Sequence, residues 1–215
     1  YDGVDLNYCK NNNIVITNTP KVLTEDVADL ALGLMITLLR KINEAHNFIL
    51  KKKWNKKPFD LTTSLTNKTV GIVGMGEIGK AFSKRARSLS MKIVYHGPKN
   101  KKLSYQYFKN LKDMASLIDI MVITCTGGSK TKHLINKSIL KFMKPSAMLV
   151  NISRGSVINE KHLLDTLKKN LIAGAALDVF NNEPNINNDF LKLNNVLLSP
   201  HNGSATFDTR KKMAR

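Results

Sequence analysis

The sequence predicts a doubly wound α/β fold, in which helices cover both faces of a parallel sheet. Six short runs are apolar enough to be buried strands, at residues 70–73, 92–95, 120–124, 147–152, 173–179 and 196–199. Strands that are apolar on both faces belong in a parallel sheet covered by helices. Helices are predicted between them at 80–89, 111–118, 137–143 and 160–169, and strands that alternate with helices are typical of this class.

A different pattern precedes the first strand of that sheet. Residues 14–17 predict a short strand that Pro20 follows, and Thr24 is placed to cap a helix. Val27, Leu30 and Leu34 repeat every three to four positions, so one amphipathic helix is predicted over residues 26–51. At 1.5 Å per residue its length is about 40 Å, and we expect such a helix to pack on something outside its own domain.

Composition excludes several classes of protein. Hydrophobic residues make up 42% and charged residues 23% of the chain, and no apolar run approaches the roughly 20 residues that cross a bilayer. The net charge is +18, but Lys dominates it and no aromatic stacking platform or recognition motif accompanies it. We therefore expect solvated lysines, no nucleic-acid partner and no membrane. Cys9 and Cys125 form neither a disulfide framework nor a metal cluster, so no metal and a cytoplasmic location are predicted.

A glycine-rich loop follows the strand at 70–73 and opens the next helix. Its residues, Gly74-Met75-Gly76-Glu77-Ile78-Gly79, match GxGxxG in the strand–turn–helix context that makes this motif informative. Gly74 allows a tight turn, Gly76 lets the backbone approach a pyrophosphate, and Gly79 lets the helix pack on the strand. Gly74, Gly76, Glu77, Ile78 and Gly79 are therefore predicted to bind a dinucleotide at the helix N-terminus.

The second strand predicts which dinucleotide is bound. An acidic residue at its end would bind the adenosine ribose, but His96, Gly97, Pro98 and Lys99 stand there. Three of the six residues 97–102 are Lys, which would attract a 2′-phosphate. We predict cofactor contacts from these four residues and a preference for NADP over NAD. A Lys-rich surface loop without a ligand is the alternative.

Polar residues follow the later strands. Arg154, Asp178, Glu183 and His201 come after the strands at 147–152, 173–179 and 196–199. Ligands of open parallel sheets bind outside the carboxyl ends of the strands, so these residues should gather on one rim with the glycine loop. Arg holds a carboxylate and polarises a carbonyl, His transfers a proton, and a carboxylate orients the His. Beside a nicotinamide, this set supports hydride transfer between a 2-hydroxy acid and a 2-keto acid.

In combination, these motifs resemble the D-isomer-specific 2-hydroxyacid dehydrogenase family. The matching segments are 19–28, 74–79, 151–155, 174–180, 183–184 and 199–201. Leu61-Thr62-Thr63 and the region around His96 are most similar to NADP-dependent glyoxylate/hydroxypyruvate and hydroxyphenylpyruvate reductases. The resemblance implies a small 2-keto acid as substrate.

The resemblance also implies roles for single residues. Arg154 would bind and polarise the substrate, His201 would be the acid and base, and Glu183 would support His201. Asp178 would contact the nicotinamide carboxamide. Further cofactor contacts are expected from Arg154, His201 and a second group of residues, Thr124, Cys125, Thr126, Thr131, Ile152, Ser153 and Gly203. Residues 126–128 are Thr-Gly-Gly where many members have Pro-Leu-Thr, a departure expected to matter little for catalysis.

Family members carry a flavodoxin-like substrate domain beside the cofactor domain. Residues 1–20 are accordingly expected to be the C-terminal remnant of that domain, with its last strand at 14–17. Residues 21–200 would be the dinucleotide-binding domain, with a long dimerisation helix near 25–52 that makes a homodimer. Residues 201–215 would begin a truncated helix that returns to the substrate domain. This segment alone is expected to bind nucleotide and to turn over poorly.

Two other functions compete with the reductase. A non-catalytic, corepressor-like dinucleotide sensor on the same fold could keep Arg154, Glu183 and His201. A nucleic-acid-binding domain would account for the +18 charge but has no recognition motif.

Overall fold

The core of the protein is one parallel sheet of seven strands. The computed structural model describes residues 4–214. The sheet has the order β3-β2-β1-β4-β5-β6-β7, and every neighbouring pair is parallel. Its strands are β1 (Thr69–Val73), β2 (Lys92–His96), β3 (Gln106–Phe108), β4 (Ile120–Ile123), β5 (Met148–Asn151), β6 (Gly174–Leu177) and β7 (Val196–Leu198). This arrangement is a Rossmann-type sheet and confirms the predicted fold class.

Helices lie on both faces of the sheet. Along the chain they are α1 (Leu6–Asn11), α2 (Thr24–Arg40), α3 (Ile42–Leu50), α4 (Glu77–Ser88), α5 (Leu111–Leu117), α6 (Lys137–Leu140), α7 (Glu160–Lys168) and α8 (Phe207–Met213). Helices α2 and α4 share one hydrophobic cluster with the sheet, and α5, α6 and α7 share the other. Successive residues of β4 join opposite clusters, Ile120 with α2 and α4 and Met121 with α5 to α7.

The strand β3 is one that the sequence analysis missed. It has only three residues and pairs with β2 at the edge of the sheet. Its Tyr107 and Phe108 are only partly buried, so the continuous apolar run that marks a central strand is absent.

The predicted strand at residues 14–17 is wrong. These residues have no regular structure, and Val15 is 87% exposed. A strand needs a neighbour to bond its N–H and C=O groups, and none of the described strands pairs with this segment. This segment therefore has the apolar composition of a strand but no strand beside it among the described residues.

The single helix predicted at 26–51, the core of the segment near 25–52, is two helices. Lys41 takes a left-handed conformation (φ 49°), and its N–H bonds to the carbonyl of Thr37, which ends α2. Buried residues line α2 as far as Leu39, whereas α3 has none, so the chain turns where its packing on the sheet stops. Thr24 is the first residue of α2 rather than its cap; Leu23 holds the cap position without a side-chain hydrogen bond.

Asp119 joins three strands at the edge opposite the predicted site. Its Oδ2 accepts the N–H of Thr69 at the start of β1 (2.8 Å), and its Oδ1 pairs with Lys144 Nζ (3.1 Å) just before β5. Burial acts to raise the pKa of this carboxyl, but the hydrogen bonds from Thr69 and Lys144 outweigh it, and the pKa lies below its ordinary value.

Candidate active site

The glycine loop after β1 is a tight turn packed on the end of β4. Gly74 has φ +101°, and a Cβ there would lie 2.5 Å from the Cα of Cys125. A Cβ on Gly79 would lie 2.4 Å from the carbonyl oxygen of Gly74, which also accepts Thr124 Oγ1 at 2.5 Å. Both positions need glycine, because a side chain at 74 would collide with Cys125 and one at 79 would push α4 away from the loop.

The first turn of α4 is open to a ligand. Gly76 holds the N-cap position with an extended backbone and no side-chain cap, and a Cβ on it would meet nothing within 4 Å. The N–H groups of such a turn, with the positive end of the helix dipole, favour a phosphate. These features fit a dinucleotide pyrophosphate. The side chain of Glu77 turns to Lys80, with which it pairs at 3.2 Å.

A cleft of about 380 Å³ lies beside this turn, at the carboxyl ends of β4, β5 and β6. Ten of the nineteen residues predicted to bind the cofactor line this cleft. They are Ile78, Thr124, Cys125, Thr126, Ile152, Ser153, Arg154, Asp178, His201 and Gly203. The other predicted cofactor residues are not among its lining residues: Gly74, Gly76, Glu77, Gly79, His96, Gly97, Pro98, Lys99 and Thr131.

The loop after β2 is held by hydrogen bonds from its own neighbours. His96 Nδ1 donates to the carbonyl of Phe108 (2.9 Å), because a carbonyl can only accept, and Tyr107 Oη donates to the carbonyl of Gly97 (3.0 Å). Pro98 and Lys99 are exposed at its tip. The predicted 2′-phosphate residues therefore lie together on a fixed turn, outside the cleft.

Thr131 fixes the loop that follows β4. Its Oγ1 lies 2.7 Å from the carbonyl oxygen of Thr126 and 3.3 Å from that of Gly128. The N–H of Thr131 also bonds to the carbonyl of Gly128 at 3.1 Å. This residue acts on the cleft through Thr126, which lines it.

The buried Asn151 shapes the turn that carries Arg154. Its Nδ2 donates to the carbonyl of Arg154 (3.1 Å), and its Oδ1 accepts the N–H of Ser153 (3.1 Å). Arg154 itself is exposed, and its Nη1 donates to the carbonyl of Ser153 at 2.7 Å. A Cβ on Gly155 would lie 2.0 Å from the carbonyl carbon of Phe180, so this turn contacts the segment that leads to Glu183.

Glu183 and His201 form a direct pair on the same rim. Glu183 Oε2 lies 2.5 Å from His201 Nδ1, and its Oε1 accepts the N–H of Phe180 at 2.8 Å. The carboxylate accepts from Nδ1–H, which leaves Nε2 as the nitrogen that can meet a substrate. The side chain of His201 is 44% exposed, within reach of solvent and ligand.

The side chain of Asp178 holds the loop that carries His201 by accepting hydrogen bonds from it. It is 1% exposed, and its Oδ1 accepts Ser199 Oγ (2.5 Å) and the N–H of Asn202 (3.0 Å). Its Oδ2 accepts the N–H of Gly203 at 3.0 Å. His201 lies between these contacts with φ +51°, a left-handed conformation that is uncommon for residues other than glycine. The sequence predicts Asp178 at the nicotinamide, and no signal in it predicts these bonds to the loop of His201.

The geometry therefore combines a cleft lined by Arg154 and His201 with Glu183, which lies outside the cleft wall and pairs with His201. A family model described as "D-isomer specific 2-hydroxyacid dehydrogenase, NAD binding domain" matches residues 32–203. The chain belongs to this family. Membership confirms the predicted resemblance. Relatives that are glyoxylate and hydroxypyruvate reductases favour an oxidoreductase that acts on 2-keto acids with NAD(P)H over the dinucleotide sensor.

Known proteins resemble this dehydrogenase chain over almost all of its length. It is 41% identical to glyoxylate/hydroxypyruvate reductase A of Arabidopsis thaliana and 40% identical to hydroxyphenylpyruvate reductase of Plectranthus scutellarioides, over 99% of this chain and 68% of each relative. The crystal structure of an NADPH-dependent glyoxylate/hydroxypyruvate reductase from Sinorhizobium meliloti, in complex with NADP and malonate, matches with TM-score 0.94 and 38% identity. That match covers 100% of this chain and 68% of the other.

Four residues of the dehydrogenase cleft were not predicted from the sequence. Leu23 and Val27, at the start of α2, cover one side of it, and Gly127 and Ser204 complete its wall. Val27 follows the predicted helical period, but that period alone indicates a buried face and not which ligand the face meets. No residue type at these four positions carries a chemical signal.

Cys125 lies in the wall of the cleft as a neutral thiol. Burial raises its pKa to about 11. Within residues 4–214, no group of three or more His, Cys, Asp or Glu side chains could hold a metal ion. Over the same range, no helix has both the length and the apolar character to cross a membrane.

Proposed function

We propose that this chain is the cofactor-binding and catalytic part of an NADPH-dependent reductase that converts a small 2-keto acid of the glyoxylate or hydroxypyruvate type to the D-2-hydroxy acid. The observation that carries the proposal is the 2.5 Å pair that Glu183 forms with His201, which lines the same cleft as Arg154. Relatives named for glyoxylate, hydroxypyruvate and hydroxyphenylpyruvate reduction support the substrate class.

Different residues of this chain would bind the substrate and supply the proton for the reduction. Bound NADPH supplies the hydride. Arg154 lines the cleft, and its guanidinium would bind the substrate carboxylate and polarise the keto group. His201 donates the proton on Nε2 to the keto oxygen. Glu183 accepts the hydrogen bond from Nδ1–H, which holds the ring in place and stabilises its charged form.

The cofactor would be held from both ends of the cleft. The N–H groups at the start of α4 would bind its pyrophosphate, with Ile78 and Thr124 against the nucleotide. At the other end, Ile152 and Asp178 line the space where the nicotinamide would lie beside His201.

A kinetic assay tests the reductase. NADPH oxidation should be followed with glyoxylate, hydroxypyruvate and hydroxyphenylpyruvate in the full-length protein. His201→Ala should abolish turnover and leave NADPH binding unchanged. His133→Ala is the matched control, since His133 is exposed, has a similar left-handed φ of +53° and lies outside the cleft wall. A protein that binds NADPH but oxidises it with none of the three acids would contradict the proposed substrate class and favour the dinucleotide sensor.

A preference for NADP over NAD is part of the proposal. It is supported by the absence of a carboxylate at the end of β2, by exposed Lys99, Lys101 and Lys102 around the turn after it, and by the NADPH-dependent relative. Lys99→Glu should weaken NADPH binding and leave NADH binding unchanged. Lys92→Glu, exposed at the opposite end of β2, is the control. Wild-type protein that binds NADH as tightly as NADPH would contradict the preference.

The domain division and the homodimer are also proposed. Residues 21–200 would form the cofactor domain, and residues 1–20 and 201–215 would lead to a substrate domain. The chain covers 68% of the length of these relatives, which supports this division.

The homodimer would form through an exposed apolar surface. Ile49, Leu50 and Trp54 are 51%, 65% and 67% exposed, lie at and after the end of α3 and would pack on a second copy. Leu50→Asp should reduce the mass measured by light scattering to that of a monomer, unlike Leu171→Asp, which changes an exposed leucine elsewhere.

The proposed cytoplasmic location rests on the cysteines. Cys9 and Cys125 are both free thiols in the structure, as expected in a reducing compartment.

A further inference from the structure

We infer that the buried hydroxyl of Tyr95 is a positioning group for the 2′-phosphate of NADP. Tyr95 lies in β2, and the segment that follows this strand, the lysine turn (residues 97–102), carries the exposed Lys99, Lys101 and Lys102. The inference rests on the proposed preference for NADP, in which these three lysines attract the 2′-phosphate.

The lysine turn adjoins the loop that is proposed to bind the pyrophosphate. Strands β1 and β2 are parallel neighbours, and the carbonyl of His96 at the end of β2 accepts the N–H of Gly74 at 2.9 Å. In a Rossmann sheet, the ribose of a nucleotide bound at the glycine loop meets the end of the second strand. The lysine turn therefore lies where a 2′-phosphate would be bound.

Tyr95 is anchored in the core of the sheet and not in the turn. Its side chain is 0% exposed and belongs to the hydrophobic cluster that α2 and α4 share with the sheet, together with Ile72 and Phe82. It pairs in register with Tyr107 of β3, and the two ring centroids are 5.3 Å apart. Because core side chains are closely packed, the Tyr95 hydroxyl is a fixed point to which the turn can bond.

The Tyr95 hydroxyl joins the second half of the lysine turn to that core. It donates to Asn100 Oδ1 (2.7 Å) and accepts the N–H of Lys101 (2.9 Å). Asn100 Oδ1 also accepts the N–H of Lys102 at 2.8 Å. One buried hydroxyl thus holds the backbone N–H groups of two lysines, the first directly and the second through Asn100.

Loss of the hydroxyl would release only this half of the lysine turn. Tyr107 Oη would still hold its start through the carbonyl of Gly97 (3.0 Å). Lys101 is exposed, so its N–H would bond to water instead, and the backbone that carries Lys101 and Lys102 would sample more conformations. Ordering these two cations around a phosphate would then lower the affinity, because binding must restore the lost order. NADH, which has no 2′-phosphate, would bind as before.

Binding of NADPH and NADH by Tyr95→Phe in the full-length protein, measured by nucleotide fluorescence, tests the inference. The Kd for NADPH should rise about fivefold or more, and the Kd for NADH should stay within about twofold, since an ordinary hydrogen bond is lost at the phosphate end only. Tyr105→Phe is the control, because the hydroxyl of Tyr105 meets Ser83 of α4 at 3.4 Å and not the lysine turn. An unchanged Kd for NADPH, or an equal rise for both nucleotides, would overturn the inference.

Hydrogen exchange of the Lys101 and Lys102 amides in the free protein gives a readout that needs no cofactor. Both amides should exchange faster in Tyr95→Phe than in the wild type, because the first loses its acceptor and the second loses the group that holds Asn100. Exchange rates that do not change would overturn the inference.

A second variant removes the other partner of the same bond. Asn100→Ala, at an exposed position, should also weaken NADPH binding, and the two losses should not add in the double variant with Tyr95→Phe. Additive losses would overturn the inference. Wild-type protein that bound NADH as tightly as NADPH would refute the proposed preference itself, whereas a wild type that prefers NADPH and a Tyr95→Phe variant that keeps this preference would overturn only the role of Tyr95.

Discussion

Ser199→Ala should reduce catalysis by releasing the loop that carries His201. Ser199 is 8% exposed, and its hydroxyl donates to the buried carboxylate of Asp178 at 2.5 Å. A hydrogen bond to a charged group contributes about 1.5–3 kcal/mol. If that free energy holds the loop in its catalytic conformation, its loss lowers kcat/KM by about 12- to 150-fold, since about 1.4 kcal/mol corresponds to a factor of ten.

The measurement is kcat/KM for the keto acid in Ser199→Ala, with NADPH binding and Tm recorded on the same sample. Asp178 keeps the N–H groups of Asn202 and Gly203 in the variant, at 3.0 Å each in the wild type, so the fold should persist and NADPH should still bind. Ser88→Ala is the control, because Ser88 Oγ donates only to a carbonyl within α4, away from the cleft. A kcat/KM within twofold of wild type would refute a bracing role for the Ser199 hydroxyl.

Three further predictions follow from other contacts. Glu183→Gln keeps an acceptor for the N–H of Phe180 but loses the acceptor for His201 Nδ1–H, so kcat should fall about 100-fold or more; an unchanged kcat would remove Glu183 from its role. Iodoacetamide at pH 7.5 should label Cys9 well before Cys125, whose pKa burial raises to about 11, and mass spectrometry should show Cys125 reacting only as the pH nears that value. Asp119→Asn should lower the Tm at pH 7, and because the folded-state pKa of Asp119 is depressed, this deficit should be full above its unfolded value of about 3.9 and close as the pH falls through the folded pKa. A deficit in Tm that persisted at low pH would contradict the role of the Asp119 charge.

The central strands could be predicted because their signal is local. Residues 120–123 and 148–150 are continuously apolar, and each run is buried in the sheet as expected. The errors arose where structure depends on distant partners. Residues 14–17 have a strand composition but no pairing strand among the described residues, and the turn at Lys41 lies where the packing of α2 on the sheet ends.

The candidate site could likewise be predicted only in part. Its chemical groups could be predicted from their places after the strands, and Arg154, Asp178 and His201 do line one cleft. How those groups are held could not be predicted, because the bonds join residues far apart in the chain, such as Asp178 to Ser199.

Each of the three reactive groups is placed by a less exposed residue, which is three positions earlier in the chain for Arg154 and Glu183 and far earlier for His201. Arg154 follows the buried Asn151, which bonds its carbonyl; Glu183 is held by the N–H of Phe180. His201 lies between two segments that the buried Asp178 holds.

Side chains at the mouth of a cleft must stay within reach of ligand and solvent, so they cannot be fixed by burial themselves. A buried polar group can fix the backbone beneath them, because leaving such a group without partners costs about 1–3 kcal/mol. Gly155 then brings two of these segments together, since any Cβ there would collide with the backbone of Phe180 at 2.0 Å. Substitutions at Asn151, Gly155 and Asp178 should therefore impair catalysis nearly as much as substitutions of the reactive residues, although their side chains would take no part in proton transfer.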